Sequence, residues 1–459
     1  MILEQHYLGC LAQASYFLAD ERTKTAVVID PRRDVGIYLD RAKELGVTIR
    51  HVMLTHFHAD FLAGHLELRA ACDAKVWLGE RAEAEFDFEE MVDGESMELG
   101  DVTLRFLSTP GHTPESTSIL VFDTTKSTEE PHAVMTGDTL FIGDVGRPDL
   151  MSSVGLTSEE LAGWMYDSLH GKLLTLPDQT IVYPGHGAGS MCGKNLSSDT
   201  WSTIGQQRES NYALQPMERA EFVAMLTANQ PQAPAYFPYD AELNKKEHPS
   251  IAGVLQAGRK GLSLDEVVRE QNAGAVVLDV RDAEAFAAGH LAGSVHVGLD
   301  GMYATWVGTL VPSDRRIVLL TDPGAEEEAA RRLGRIGFDR VAGTLEGGIE
   351  AVPAGDRATH ARIEPEELRR RLDGPTPPLV VDVRGPGEWD AGHIDGAQHV
   401  PLQRFPSELE TIPTDRDLVL VCKSGYRSST AASLLLGRAR SVTDLRGGMD
   451  AFTGQEACV

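Results

Sequence analysis

The stretch MLTHFHADFLAGH, from Met53 to His65, decides the fold prediction. Its apolar start is typical of a strand that is about to end. After this strand come His56, His58 and Asp60 at alternate positions, and three potential metal ligands so close together predict a metal-binding loop. Phe61 follows Asp60, and because a phenyl ring cannot coordinate a metal, the predicted site has no ligand at that position.

The segments around this stretch alternate between short apolar runs and helical patterns. TAVVID and RHVMLT read as strands, and FLAGHLELRAAC, from Phe61 to Cys72, reads as a helix. VTLRFLSTPGHT, AVMTGDTLF and TIVYPGHG each predict a strand that runs into a loop, and these loops carry His112, Asp138 and His186. Because ligands on loops at strand ends can converge on one mouth of a layered sheet, the pattern predicts one shared metal site.

Each of these residues also has a structural explanation. A lone His beside Gly is more often a hydrogen-bonding residue than a ligand, Asp60 could cap a helix that begins at Phe61, and Asp138 could be a turn residue. Six such residues on successive loops favour a metal site over six separate structural roles.

The composition limits the class of protein. The chain has 459 residues, a net charge of -27 and 42% hydrophobic residues, which predicts about three domains with sizeable cores. So negative a charge argues against nucleic acid and anionic membranes as partners, and no apolar run approaches the length that spans a bilayer. The N-terminus lacks a secretory pattern and the five cysteines are scattered, so we expect a soluble cytoplasmic protein without a disulfide framework.

An internal repeat occupies the C-terminal part of the chain. VVLDVRDAEAFAAGHLAGSVHV, from Val276 to Val297, resembles LVVDVRGPGEWDAGHIDGAQHV, from Leu379 to Val400, and Asp279 stands at the position of Asp382. A Pro-rich segment within residues 211–250 ends the preceding domain. The sequence therefore predicts α/β domains at residues 1–250, 255–357 and 358–459.

The segment LVLVCKSGYRSSTAASLLLG predicts a reactive cysteine. A hydrophobic strand leads Cys422 into a tight loop and a helix starts near Ser428, so loop N–H groups and the helix N-terminus stabilise negative charge on sulfur. Arg427 adds a guanidinium for sulfonate-like oxygens. The alternative is a buried cysteine that acts as a small hydrophobe. The loop around a bound sulfur consists of Lys423, Ser424, Gly425, Tyr426 and Ser428.

The first copy of the repeat lacks both of these groups. Thr321 stands where Cys422 stands, and Glu326 stands where Arg427 stands. Because the nucleophile and the cation are both missing, we expect this copy to serve packing or docking and not catalysis.

The ordered motifs HxHxD, GHT, GD and GHG resemble the metallo-β-lactamase superfamily over roughly residues 1–245. The resemblance implies an αββα sandwich with metal at one edge of its sheets. Dinuclear hydrolases of this superfamily, such as glyoxalase II, use HxHxDH, and Phe61 replaces the last His, which helps to hold their second zinc ion. The persulfide dioxygenases of the superfamily use one Fe(II) per chain, and the resemblance implies His56, His112 and Asp138 as its ligands.

The remaining residues of the pattern then surround the metal ligands. His58, Asp60 and His186 orient ligands or line the pocket. GDVGRPDL resembles a Gly-Arg-x-Asp segment of the dioxygenases, so Arg147 either orients an anionic substrate tail or forms a surface salt bridge. Cys192 either contacts a thiol or persulfide or is an ordinary small residue of a Gly-rich loop.

The cysteine loop and its flanking motifs resemble the rhodanese fold over about residues 360–455. Phosphatases of related fold have a longer loop between Cys and Arg, whereas four residues separate Cys422 from Arg427 here. The tighter loop fits a transferred sulfur atom better than a phosphate and implies a sulfurtransferase. Residues of about 255–355 then resemble an inactive rhodanese domain.

The fusion resembles the persulfide dioxygenase–sulfurtransferase proteins of bacterial sulfide detoxification. It implies oxidation of a thiol persulfide with O₂ to sulfite and thiol, and sulfur transfer through Cys422 to or from thiosulfate. The alternatives are a zinc-dependent glyoxalase II-like thioester hydrolase with rhodanese domains, and a non-enzymatic sulfur sensor or scaffold. The sequence leaves open the thiol carrier, the direction of sulfur flow and the oligomeric state, including a homo-oligomer.

Overall fold

A computed structural model of the protein describes residues 1–150 and 155–454. The chain divides into two compact units, one comprising Met1–Ile251 with Arg335–Gly337 and the other Ala252–Gly334 with Phe338–Val459. The predicted domain boundaries near residues 250 and 357 remain predictions, and Cys458 lies outside the described residues. Within the described part of the chain, none of the helices combines the length and apolar character that crossing a bilayer requires.

Two mixed sheets form the first unit. The first sheet has its six strands in sequence order, and the first three pair antiparallel while the third to the sixth pair parallel. Its strands are β1 Ile2–Leu8, β2 Gln13–Asp20, β3 Thr25–Ile29, β4 Thr48–Met53, β5 Lys75–Gly79 and β6 Glu89–Met91. The second sheet consists of β7 Ser96–Leu99, β8 Val102–Ser108, β9 Thr117–Asp123, β10 Ala133–Gly137, β11 Ile181–Pro184 and β12 Ser202–Thr203.

Helices accompany both sheets of this unit. They are α1 Gly36–Leu45, α2 His65–Cys72, α3 Ser158–Gly171, α4 Ile204–Ser210, α5 Arg219–Thr227 and α6 Phe237–Leu243. One buried cluster joins the facing sides of the two sheets, including Tyr16 and Ile29 of the first and Phe106 and Val121 of the second. Another buried cluster lies between the outer side of the second sheet and helices α3 and α5, and it includes Met165 of α3. The layers therefore follow the predicted αββα order.

The strands predicted around the histidine motif are confirmed, but the helix after it begins later than expected. α2 starts at His65, with Gly64 as its N-cap, so Asp60 does not cap it. The reason is a contact that is remote in sequence: buried Asn244 donates to the carbonyls of His58 and Phe61, both at 2.8 Å, and accepts from Ala63 N–H at 2.9 Å. These bonds hold the intervening residues in a loop.

Two sheets of parallel strands form the second unit, one for each copy of the repeat. When the strands of each copy are numbered from its own first strand, both sheets have the order 1-5-4-2-3. The first sheet has β13 Gly261–Leu262, β14 Val276–Asp279, β15 Val295–His296, β16 Ile317–Leu320 and β17 Val341–Leu345. The second has β18 Ala361–Ile363, β19 Leu379–Asp382, β20 Gln398–His399, β21 Asp417–Val421 and β22 Ser441–Leu445.

The repeat extends to the helices and to individual ion pairs. The helices before and within the first copy are α7 Ile251–Gly258, α8 Leu264–Asn272, α9 Ala283–Ala288, α10 Tyr303–Leu310 and α11 Glu326–Gly334. Those of the second are α12 Pro365–Leu372, α13 Pro386–Asp390, α14 Phe405–Glu408, α15 Tyr426–Leu435 and α16 Gly448–Thr453. Buried Arg281 pairs with Asp279 at 2.5 Å, and Arg384 pairs with Asp382 at 2.7 Å in the same way.

Candidate functional site

His56, His112 and Asp138 converge in the first unit from the loops that follow β4, β8 and β10. Each offers one ligand atom, these atoms lie within 4.8 Å of one another, and all three side chains are buried. Asp138 Oδ2 lies 3.7 Å from His56 Nε2 and 3.5 Å from His112 Nε2. Two imidazoles and one carboxylate on one face form a donor set that suits a metal with open coordination positions.

The hydrogen bonds of the two histidines leave the Nε2 lone pairs free for a metal. Arg147 O accepts from His112 Nδ1 at 2.9 Å. Thr55 Oγ lies 3.0 Å from His56 Nδ1 and gives its own proton to Asp30, so it accepts from that nitrogen. The Nε2 atoms of His56 and His112 are buried without a hydrogen-bond partner among the described residues. Because such orphaned acceptors are costly, the cluster fits a bound cation.

The electrostatics of the cluster also favour metal binding. Burial, with a contribution from His58, holds the pKa of His56 well below its ordinary value and keeps the ring neutral. Burial alone would raise the pKa of Asp138, but His186 and His56 lower it below the usual range, so the carboxylate is ionised. Neutral imidazole and ionised carboxylate are the protonation states that a metal requires.

Asp30, at the end of β3, supports this cluster and was missed by the sequence analysis. Its carboxylate accepts from the Thr55 N–H and O–H, each at 2.8 Å, and lies 3.0 Å from His58 Nε2. It therefore holds His58 directly and His56 through Thr55. The sequence does carry a signal for Asp30, which directly follows the strand TAVVI. This strand is the parallel neighbour of the strand before His56, and neighbouring parallel strands end at the same edge of a sheet.

We expect Asp30→Asn to weaken metal binding by about 10- to 100-fold, the range for a group that orients a ligand. The amide keeps the shape but loses the charge and one acceptor for Thr55 and His58. Metal affinity measured by competition with a chelator checks this. Asp123→Asn is the matched control, because Asp123 is also buried and accepts from Thr125 at 2.6 Å. Equal affinities of Asp30→Asn and wild type would contradict the role.

Phe61 occupies the position where the dinuclear pattern has a histidine. Its ring is buried and lies 4.3 Å from that of His58, centroid to centroid, at an interplanar angle of 34°. The position therefore supplies packing for His58 and no ligand atom.

Asp60, His186 and Cys192 form a second buried group beside the first. His186 Nδ1 lies 2.8 Å from Asp138 Oδ1, and its Nε2 lies 2.8 Å from Asp60 Oδ2. Burial alone would lower the pKa of His186, but these two carboxylates raise it well above its ordinary value. Glycine is required next to it, because a Cβ on Gly185 would lie 2.5 Å from Asp138 Oδ1.

Cys192 is buried beside these carboxylates. Burial raises the pKa of its thiol well above the ordinary value, and Asp60 adds to the effect. The structure thus brings Cys192 next to the predicted metal ligands, and the contact with a thiol or persulfide remains a prediction.

Arg147 is buried, so the surface salt bridge considered for it is wrong. Its guanidinium pairs with Asp149 at 2.6 and 2.8 Å and donates to the carbonyls of Met191 at 3.0 Å and Pro231 at 2.5 Å. Its own carbonyl accepts from His112. These contacts tie the charge to the protein and fit a residue that positions His112.

A cavity of about 250 Å³ adjoins the loops that carry the metal ligands. Phe57, Ala59 and Thr113 line it from these loops, and Pro234 and Phe237 line it from the Pro-rich segment. Its walls are mostly apolar, which suits the organic part of a small ligand.

Cys422 lies at the end of β21 in the second unit and is 1% exposed. Gly425 N–H donates to its sulfur at 3.1 Å, and Ser428 Oγ lies 3.5 Å from the sulfur. α15 begins at Tyr426, two residues before the predicted start, so its N-terminus adjoins the loop. One backbone N–H and the start of a helix therefore lie next to the sulfur, and the stabilisation of a thiolate by these groups remains a prediction.

Arg427 has a partner that the sequence analysis missed. Both of its terminal nitrogens donate to the carboxylate of Glu388 at 2.7 Å. Glu388 belongs to α13, far from the loop in sequence, and a lone acid on a short helix gave no signal. The pair fixes the guanidinium in a bidentate geometry before any ligand arrives.

The corresponding loop of the first copy is arranged differently. Gly324, at the position of Gly425, donates its N–H to the carboxylate of Glu326 at 2.9 Å. The backbone N–H that donates to sulfur in the second copy therefore donates to a carboxylate of its own loop in the first copy. Thr321 is buried at the position of the nucleophile.

Family profiles match an N-terminal segment and two C-terminal segments of the chain, which agrees with the mixed sheets and the repeat described above. The profile of the Metallo-beta-lactamase superfamily matches residues 8–186. The profile of the Rhodanese-like domain matches residues 263–354 and 364–455. The predicted fold, an αββα sandwich followed by two rhodanese-like α/β domains, is confirmed.

Individual relatives match different lengths of the chain. Mitochondrial persulfide dioxygenase ETHE1 of Bos taurus is 30% identical over 234 residues, which cover 49% of this chain and 80% of that protein. Hydroxyacylglutathione hydrolase of Rhodospirillum rubrum is 33% identical over 187 residues, 40% of this chain and 66% of that protein. A crystal structure of a metallo-beta-lactamase from Staphylococcus aureus is 30% identical with a TM-score of 0.67 and covers 75% of this chain and 98% of that one.

Proposed function

This chain belongs to the metallo-beta-lactamase superfamily and carries two rhodanese-like domains, and on that premise we propose that it is an iron-dependent persulfide dioxygenase with sulfurtransferase activity. Similarity to persulfide dioxygenase ETHE1 and the two rhodanese-like domains support an enzyme of sulfur metabolism. The finer assignment depends on the two sites. We assign residues 1–250 to the dioxygenase, 255–357 to the inactive copy and 358–459 to the active copy.

The observation that carries the proposal is the donor set around Asp138. His56, His112 and Asp138 form a compact group with two orphaned imidazole nitrogens, while Phe61 removes a ligand from the neighbouring position. Two histidines and one carboxylate are typical of mononuclear non-heme iron sites that react with O₂. Bound there, a ferrous ion would supply the O₂ chemistry.

The protein's own residues hold the reactants in place. The persulfide R–S–SH would place its organic part in the apolar cavity near Phe57 and Thr113 and its terminal sulfur near the ligand cluster. All three ligands are buried, so a sulfur bound beside them would be shielded from bulk solvent. The overall reaction is R–S–SH + O₂ + H₂O → R–SH + SO₃²⁻ + 2 H⁺, in which the terminal sulfur is oxidised and O₂ is reduced.

Sulfur transfer takes place on Cys422. As a persulfide, Cys422 passes its outer sulfur to sulfite in the step Cys–S–SH + SO₃²⁻ → Cys–SH + S₂O₃²⁻, in which one S–S bond breaks and one forms. Gly425 N–H and the start of α15 stabilise the thiolate character of the leaving sulfur. Arg427, held by Glu388, binds the oxygens of sulfite or thiosulfate. Run in reverse, the step supplies persulfide from thiosulfate.

We expect Thr321→Ala to leave sulfurtransferase activity within about 20% of wild type. A neutral hydroxyl is a far poorer sulfur acceptor than a thiolate, and Gly324 N–H is engaged by Glu326. Transfer of sulfur from thiosulfate to cyanide, followed as thiocyanate, measures this. A folded Thr321→Ala variant that had lost transfer would show that the first copy takes part in the chemistry.

The second candidate function is a zinc-dependent thioester hydrolase. Similarity to hydroxyacylglutathione hydrolase favours it, and Asp60, His186 and Cys192 offer ligands for a second ion. The metal content and O₂ uptake of the purified protein with a panel of low-molecular-weight persulfides separate the candidates. About one iron per chain with persulfide-dependent uptake supports the dioxygenase, and about two zinc per chain with thioester hydrolysis supports the hydrolase. If neither activity is detected, the remaining candidate is a sulfur-binding sensor or scaffold.

A further inference from the structure

Tyr426, the first residue of α15, reaches from the catalytic loop into the first copy of the repeat. Its hydroxyl donates to the carbonyl oxygen of Gly298 at 2.7 Å. Its ring packs closely on Gly298, where a Cβ would lie 3.2 Å from the ring, so glycine at this position leaves space for the ring. Burial raises the pKa of Tyr426 well above its ordinary value, so the hydroxyl is a donor at neutral pH.

The segment that accepts the hydrogen bond of Tyr426 is itself bonded to a helix of the first copy. Arg332, a buried residue of α11, donates to the carbonyl of Leu299 and, at 2.6 Å, to that of Gly301. Its guanidinium carbon lies 5.3 Å from the centre of the Tyr303 ring. Tyr426 therefore contacts a segment that Arg332 of the first copy anchors through two hydrogen bonds.

A second bridge between the copies passes through Arg362 of β18. Its Nη1 donates to Glu284 of the first copy at 2.7 Å, and its Nη2 donates to the carbonyl of Gly425 at 3.2 Å. Its Nε donates to Asp444 of β22 at 3.1 Å. Arg362 thus connects the first copy to the loop around the nucleophile.

Both bridges end on neighbouring residues of this loop. Gly425 has a φ of 93°, a conformation that favours glycine. Its N–H points at Cys422 Sγ because of this conformation, at 3.1 Å. The first copy has Ala325 at the position of Tyr426, so its own loop cannot form the tyrosine bridge.

We propose that the copy without a nucleophile forms part of the sulfur-transfer site by holding the catalytic loop in shape, with Tyr426 and Arg362 as positioning residues. The inference rests on the sulfurtransferase activity proposed above. It adds that this activity requires contacts from the first copy of the repeat. Releasing either bridge lets Gly425 relax, turns its N–H away from sulfur and lowers the reactivity of Cys422.

Tyr426→Phe tests the main bridge, because it keeps the ring between Gly298 and Gly301 and removes the donor. We expect thiosulfate:cyanide sulfur transfer to fall about fivefold in kcat, as loss of one hydrogen bond predicts, with little change in KM for thiosulfate. Alkylation of Cys422 by iodoacetamide at pH 7, followed by peptide mass mapping, should slow by a similar factor. Tyr166→Phe is the matched control, because it loses a hydrogen bond of 3.1 Å to the carbonyl of Met217 in the first unit.

Glu284→Gln tests the second bridge, with Glu364→Gln as its control. Glu284 pairs with both Arg362 and Arg446, whereas Glu364 pairs with Arg446 at 3.0 Å. We expect about a twofold loss of transfer and of Cys422 alkylation for Glu284→Gln, since Glu284 is half exposed, and no loss for Glu364→Gln.

The alkylation rate separates this inference from the proposed function. A wild-type protein without sulfur transfer would refute the proposed activity, while slower alkylation in Tyr426→Phe would still support the positioning role. Wild-type transfer and alkylation rates in Tyr426→Phe would overturn the inference. So would equal losses in Tyr426→Phe and Tyr166→Phe, because these would indicate a general loss of stability.

Discussion

Replacing His112 with alanine is expected to remove the bound metal and persulfide-dependent O₂ uptake together. His112 Nε2 is one of the three converging ligand atoms, and its Nδ1–H is committed to the carbonyl of Arg147 at 2.9 Å. Alanine removes the ligand and leaves a buried void beside an ionised Asp138. Because even groups that only orient a ligand change metal affinity by about 10- to 100-fold, loss of a ligand should reduce it by at least about 100-fold.

Iron and zinc content by emission spectrometry and O₂ consumption with a small-molecule persulfide measure this effect. His132→Ala is the matched control, because His132 lies directly before β10, the strand that leads to Asp138, and outside the ligand cluster. Sulfur transfer through Cys422, in the other unit, should persist in His112→Ala and shows that the second unit is unaffected, while circular dichroism of His112→Ala checks the fold of the first unit. Full iron occupancy in His112→Ala would refute the ligand assignment.

The sheets and the order of the metal-binding loops could be predicted because their signals are local. The apolar run before His56 and those before His112, Asp138 and His186 each end in a loop with a potential ligand, and the structure has a strand at each. The start of α2 could not be predicted from local patterns. Phe61 to Gly64 have helical periodicity, but hydrogen bonds with Asn244 hold these residues in a loop, so the helix starts after them.

The residues that orient the metal ligands and Arg427 could not be predicted from the sequence, and the reason is the same at both sites. Asp30 and Glu388 are single acids at the end of a strand and on a short helix, and their importance comes from what they contact after folding. The bridge from Tyr426 to Gly298 joins residues 128 positions apart. The sequence identifies groups that can react, whereas the groups that orient them depend on contacts between elements that no local pattern encodes.

Cys422→Ser is expected to separate the two proposed activities. Serine keeps the shape of the loop but removes the sulfur nucleophile, and a neutral hydroxyl cannot carry a transferable sulfur. The change leaves the ligand cluster of the first unit untouched, so O₂ uptake with a small-molecule persulfide should remain within about twofold of wild type. The product should shift from thiosulfate to sulfite, and transfer from thiosulfate to cyanide should fall by at least about 1,000-fold.

Quantifying sulfite and thiosulfate as derivatised anions, with and without protein, measures this shift and corrects for uncatalysed exchange. Arg427→Ala is the graded comparison, since it keeps the nucleophile and removes the cation that Glu388 positions. It should weaken transfer by about 10- to 100-fold without abolishing it. If Cys422→Ser still formed wild-type amounts of thiosulfate in an enzyme-dependent way, transfer would take place elsewhere. Cys192, buried beside Asp60 and His186, would then be the thiol to replace next.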